Sequence, residues 1–237
     1  IHMMLSIENL NAYYGQAHVL KDVSINVNKG EVVVMLGPNG HGKSTLLKSL
    51  CGMVDSKKGK IFYKDQDIIK LSSEKIVNMG ITYIAENREL FPYMTVMENL
   101  KLGAYSKNAR KYEKKNMERV FSLFPRLAQR KKQYASTMSG GEAKMLAIAR
   151  GLMSNADFLA IDEPALGLQP NLRLEVAKII KEINNQGKTI LVVEQNIPQI
   201  TDLADKLYVL EEGHITFEGN KDDALSNDHL KEIFLGM

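Results

Sequence analysis

Residues 31–50 constrain this chain more than any other stretch. Glu31-Val-Val-Val-Met-Leu36 is continuously apolar after its first residue and gives way at once to Gly37-Pro-Asn-Gly-His-Gly42-Lys43-Ser44. A helical pattern, Ser44–Leu50, follows directly. A short apolar run without alternation reads as a strand buried on both faces, the situation of a parallel sheet covered by helices. The eight residues after it fit G-x-x-x-x-G-K-[ST]. In that pattern the glycines let backbone N–H groups curl round an anion without Cβ clashes, and the following helix points its positive dipole end at the same place. Such a match arises by chance in on the order of 1% of chains this long, so a nucleotide-phosphate site is expected here.

The rest of the chain agrees with an α/β fold. Apolar runs recur at Ile81–Ala85, Phe158–Ile161, Thr189–Val193 and Leu207–Leu210, with helical patterns such as Glu142–Met153 and Leu172–Asn184 between them. Strands alternating with helices imply a mostly parallel sheet covered on both faces. Shorter strand patterns, Leu5–Leu10, Val23–Val27 and Ile61–Tyr63, lie in the N-terminal part. Residues 99–133 break the alternation: they lack a β-branched run and place Val120, Leu123, Phe124 and Leu127 at helical spacing, which reads as a helical insertion.

With 237 residues, one domain carrying a modest insertion is expected. The ordinary apolar and charged fractions exclude disordered and fibrous classes. No apolar run approaches the roughly 20 residues that span a bilayer. Residues 1–3 are expected to be a cloning remnant before a start at Met4, without the features of a secretory signal. Cys51, the one cysteine, suits a reducing compartment. The net charge of +3 hides an asymmetry, because residues 107–133 hold ten Lys or Arg against two Glu. Nucleic acid, an anionic membrane surface and a solvated helical face all fit that patch. It lacks the interleaved aromatics of single-strand binders, so no nucleic-acid partner is expected.

Within the loop, Lys43 is expected to reach the β- and γ-phosphates and Ser44 to ligate Mg²⁺. Phe158-Leu-Ala-Ile-Asp162-Glu163 is an apolar strand ending in two acids, at the edge where open α/β sheets bind ligands. Asp162 is expected to hold the metal and Glu163 to orient the attacking water.

Met138-Ser139-Gly140-Gly141-Glu142, before the amphipathic helix Ala143–Arg150, narrows the class. Ser139 and two glycines at a helix start form a second anion cradle. This segment resembles the L-S-G-G-[EQ] motif of the ABC ATPases, with Met138 in place of Leu. The resemblance extends over nearly the whole chain. It implies a P-loop NTPase core of residues 4–86 and 138–237 with an N-terminal antiparallel β subdomain, and a helical subdomain, 87–137, that contacts transmembrane partners. It also implies an ATP site formed by Tyr14 on adenine, by loop residues Gly37, Pro38, Asn39, Gly40, His41, Gly42, Lys43, Ser44 and Thr45, and by Glu86. Ser139, Gly140, Gly141 and Glu142 close over the ATP of a second subunit, a like copy or a related chain. His41 takes no individual role.

Three positions depart from the commonest family pattern. Glu86 stands where the family usually has a glutamine that senses γ-phosphate and assists the metal, Gln169 replaces an interface Asp, and Gln195, in Glu-Gln-Asn196, replaces a histidine switch. Together they resemble the branch of branched-chain amino-acid and urea or amide uptake ATPases. That implies ATP hydrolysis by Lys43, Glu163 and Gln195, two permease subunits, an extracytoplasmic solute-binding protein acting indirectly, and a place on the cytoplasmic face of the membrane. A lipid or lipopolysaccharide exporter ATPase, or a non-transport ABC ATPase, is the alternative. No sustained heptads support the long coiled coils of chromosome-organising relatives.

Overall fold

A computed structural model describes residues 2–195 and 198–226. Asn196, the residues from 227 onward in the expected core segment, and Ile1 therefore lie outside the described residues. The elements in chain order are β1 (Met3–Tyr14), β2 (Ala17–Asn28), β3 (Val32–Leu36), α1 (Lys43–Leu50), β4 (Ser56–Tyr63), β5 (Gln66–Asp67), α2 (Ser73–Met79), β6 (Ile81–Ile84), α3 (Val96–Gly103), α4 (Lys107–Arg110) and α5 (Glu113–Leu123). They continue with α6 (Pro125–Gln129), α7 (Gly140–Leu152), β7 (Phe158–Asp162), α8 (Pro170–Asn185), β8 (Thr189–Glu194), α9 (Pro198–Thr201), β9 (Lys206–Glu211), β10 (His214–Gly219) and α10 (Lys221–Ser226).

Two sheets result. One is antiparallel, in the order β2-β1-β4-β5, and the other runs β10-β9-β3-β8-β7-β6 and is parallel except for the β10–β9 edge pair. The apolar run of β3 has its explanation in how its side chains divide. Val32, Val34 and Leu36 join one buried cluster with residues of α3, α5, α7 and α8, while Val33 and Met35 join a second with α1 and the antiparallel sheet. β8 divides in the same way, Ile190 and Val192 against Leu191 and Val193. Each fully buried Val, Leu or Ile contributes roughly 1.5–3 kcal/mol. A polar residue at any of these positions would therefore cost one face of the sandwich. Cys51 caps the end of α1 in the second cluster, where burial pushes its thiol up to about 12.

β1 and β2 are each 12 residues long, well beyond the expected Leu5–Leu10 and Val23–Val27. Register shifts along the pair interrupt the alternation that marks a strand in sequence, which hides its length. The helical insertion begins at α3, where Thr95 and Glu98 form a capping box worth about 1 kcal/mol. Buried Asn99 braces the preceding loop: its Oδ1 accepts from Phe91 N–H at 3.0 Å, and its Nδ2 donates to the carbonyls of Phe91 and Thr95, both at 3.1 Å.

Candidate functional site

The segments that follow β3, β6 and β7 enclose one cavity of about 300 Å³, lined by Asn39, Gly40, Gly42, Lys43, Ser44, Thr45, Glu86, Glu163 and Leu166. The loop after β3 can pass so close to the sheet because Gly37 has no side chain. A Cβ there would lie 2.2 Å from the carbonyl oxygen of Leu210. Gly42 caps α1 at φ 108, a conformation L residues rarely adopt.

Lys43 is 4% exposed. Its ammonium donates to the carbonyls of Gly37 (2.8 Å) and Pro38 (3.0 Å) and lies 3.4 Å from Glu163 Oε1. Glu163 Oε2 accepts from Gln195 Nε2 at 3.2 Å. Ser44 Oγ donates to Asp162 Oδ1 at 3.0 Å, and Tyr83 OH donates to Asp162 Oδ2 at 2.7 Å. Burial, followed by the bond to Asp162, raises the Tyr83 phenol above its ordinary value. The five expected reacting groups, Lys43, Ser44, Asp162, Glu163 and Gln195, thus sit in two joined clusters. A hydroxyl and a carboxylate at one point form the hard-oxygen donor set that suits Mg²⁺. Glu163 itself has left-handed backbone, φ 44, a strained state costing roughly 1–3 kcal/mol.

Three residues that sequence reasoning passed over complete the site. Tyr83 was hidden inside an apolar strand. Glu194, fully buried, accepts from the N–H of Ala165 at 2.9 Å and from that of Gln195 at 3.3 Å. Burial foremost, with the Glu163 charge adding to it, raises its carboxyl to about 7. Lys144, 3% exposed on α7, donates to the carbonyls of Glu163 (2.9 Å) and Glu86 (3.0 Å). No spacing rule marks a lysine amid apolar helix positions as anything but surface.

Not all expected site residues meet. Glu86 lines the cavity through an exposed side chain. His41 Nδ1 accepts from Glu212 N–H at 3.0 Å, so its ring is tied to the turn between β9 and β10. Tyr14, 48% exposed, ends β1 opposite Ala17 and is not among the cavity's lining residues. Ser139, Gly141 and Glu142 line a different cavity, with Leu127 and Leu172. Ser139 caps α7 by accepting from Glu142 N–H at 3.4 Å, while Glu142 Oε2 accepts from Ser139 N–H at 2.9 Å. Those bonds hold the Glu142 carboxyl below its usual range. Ser139 and Gly140 stay exposed, and Arg130 pairs with Glu142 at 2.9 Å.

The family model described as ABC transporter matches residues 20–166, from β2 through the carboxylate pair. The chain belongs to the ABC transporter ATPases. It is 42% identical to the high-affinity branched-chain amino acid transport ATP-binding protein BraG of Pseudomonas aeruginosa, over 98% of this chain and 100% of that one. It is 34% identical to a probable branched-chain amino acid transport ATP-binding protein, LivF, of Archaeoglobus fulgidus, over 99% of each. The lipopolysaccharide export ATP-binding protein LptB of Escherichia coli matches less well, at 29% over 98% of this chain and 97% of that one. Among solved structures, an ABC transporter cassette in its ADP conformation superposes with a TM-score of 0.83 at 30% identity, over the whole of both chains. This ABC ATPase binds and hydrolyses ATP. Among its described residues no helix is long and apolar enough to cross a membrane.

Proposed function

We propose that this ABC ATPase powers the uptake of branched-chain amino acids through separate permease subunits, working peripherally on the cytoplasmic face of the membrane. Both the BraG and LivF names and the Glu86 and Gln195 substitutions support import over lipopolysaccharide export. The observation that carries the chemistry is the convergence of Lys43, Gln195 and the strained Glu163 at one carboxylate.

Lys43 leaves the Gly37 and Pro38 carbonyls for the β- and γ-phosphates. Ser44 and Asp162 would hold Mg²⁺, which supplies charge neutralisation on the phosphates. Glu163 accepts a proton from the attacking water, and Gln195 donates its amide to hold that carboxylate or the γ-phosphate. The amide cannot titrate near neutral pH as a histidine would. Tyr14 offers a face to adenine. Ser139, Gly140 and Gly141 meet the triphosphate of a second ATPase subunit, a reading supported by the solvent exposure of Ser139 and Gly140 at the start of α7. The groove beside Glu86, about 500 Å³ and lined by Met53, Val77, Phe91, Leu102 and Tyr105, is apolar enough to receive a permease segment. The 87–137 subdomain forms part of its wall.

Glu163→Gln is expected to keep ATP affinity and lose turnover by about a hundredfold or more, measured as steady-state phosphate release. Undiminished release removes Glu163 from its role. For the cargo, the complex copurified with its membrane chains and solute-binding protein is expected to show ATPase stimulation by leucine, isoleucine or valine. Stimulation by an unrelated solute alone overturns the substrate assignment.

A further inference from the structure

We propose that Lys144 is a positioning residue for hydrolysis, tying the helix that begins at Ser139-Gly140-Gly141 to the backbone of both Glu163 and Glu86. The inference rests on the roles given to Glu163 and to the Ser139–Gly141 cradle above.

Lys144 stands in the second turn of α7, four residues beyond Gly140. A buried ammonium costs several kcal/mol unless it is well satisfied, yet Lys144 forms no ion pair among the described residues. Its hydrogen-bond acceptors are two main-chain carbonyls from two separate loops, that of Glu163 after β7 and that of Glu86 after β6. One side chain therefore joins three pieces: the helix bearing the cradle, the loop facing the γ-phosphate end of the cavity, and the peptide of the catalytic glutamate.

That peptide needs external support. A residue at φ 44 keeps a strained conformation only where its surroundings over-determine it. Three strong bonds do so here. Glu163 N–H donates to Val193 O at 2.9 Å, Ala165 N–H donates to Glu194 Oε1 at 2.9 Å, and Lys144 holds the Glu163 carbonyl at 2.9 Å. Of the three, only the Lys144 bond comes from the helix whose N-terminus faces the second subunit. When that N-terminus seats on phosphate, any shift of α7 is passed along a rigid element to the Glu163 carbonyl. A lysine that merely filled the core would contribute stability alone. A positioning lysine contributes to the chemical step and leaves nucleotide binding to the phosphate loop.

The test compares Lys144→Met, which keeps stem length and removes the donors, with wild type and with Glu163→Gln, all as full-length chains. Misplacement of a reacting group by about 1 Å costs on the order of a hundredfold in rate. Lys144→Met is expected to lower kcat about 10- to 100-fold while MgATP affinity changes by less than about threefold. In the Glu163→Gln background it is expected to leave ATP-driven dimerisation intact. Unchanged kcat overturns the proposal, as does a loss of ATP affinity equal to the loss of kcat. Wild-type turnover by Glu163→Gln would instead sink the underlying reading of the site. Should Lys144→Met fail to fold, Lys144→Gln, too short to bridge both carbonyls, carries the same expectations and the same refutations.

Discussion

At the phosphate loop, polar groups are buried and answered from within. Lys43 bonds the Gly37 and Pro38 carbonyls, Ser44 bonds Asp162, and Gly37 is wedged against the Leu210 carbonyl. At Ser139–Glu142 the same ingredients, glycines and a hydroxyl, meet at a helix start, but here Ser139 and Gly140 lie open to solvent, and the hydroxyl is answered by the capping box with Glu142, which also pairs with Arg130. The first segment is held by the fold around it, whereas Ser139 and Gly140 at the start of the second stand open. Identical substitutions in the two places should therefore do different things.

Alanine at the two glycines gives the largest contrast. Gly37→Ala drives a Cβ to 2.2 Å from main chain that cannot yield, and overpacking of that kind costs about 1–3 kcal/mol or more. Soluble yield and thermal midpoint are expected to collapse. Gly140→Ala meets only the flexible Arg88 guanidinium, with Nη2 at 3.3 Å, at the first residue of α7 and outside the left-handed backbone region, so the fold tolerates the methyl. It is expected to melt no lower than wild type yet lose turnover about tenfold, because the methyl fills the cradle. Equal losses of stability at both sites would erase the distinction.

Glu194 gives an effect that depends on pH. Its carboxyl is raised from 4.5 to about 7, so the fold favours the protonated form. That stability is fully present below about pH 4.5 and is lost as pH rises through 7, roughly 3 kcal/mol in all. Glu194→Gln is expected to gain on wild type in urea-unfolding free energy between pH 5 and pH 8.5. Parallel pH traces would mean that Glu194 is not held neutral. The variant also assigns any group seen near pH 7 in the rate profile, since Gln195 cannot titrate there. Smallest is Ser139→Ala, which removes an exposed cap and is expected to cost about 1 kcal/mol at most, read as a small shift in thermal midpoint. A larger loss would show that the cradle is braced from within after all.

The same contrast marks what the sequence could disclose. The phosphate loop, the Asp162-Glu163 pair and the Ser-Gly-Gly segment were legible because their chemistry requires particular residue types at fixed spacing beside a strand or helix end. Tyr83, Lys144 and Glu194 were not. Each is a polar residue beside apolar neighbours in its element, and its partners are 19 to 79 residues away or are main-chain atoms. The parallel sheet was visible in unbroken apolar runs such as β3, whereas the 12-residue strands of the antiparallel sheet were foreshortened by their bulges. The short β5 and β10 carry too few apolar residues to register.

Cys51 has a practical consequence. Burial pushes the thiol up to about 12 and shields it from solvent, which holds it in the unreactive protonated form at neutral pH, so maleimide dyes are expected to leave the native chain nearly untouched. A cysteine installed at exposed Lys132 would be the single labelled point, with no background to engineer away. Donor and acceptor fluorophores on two copies would then test, in real time, whether copies of this chain approach and part as ATP is hydrolysed.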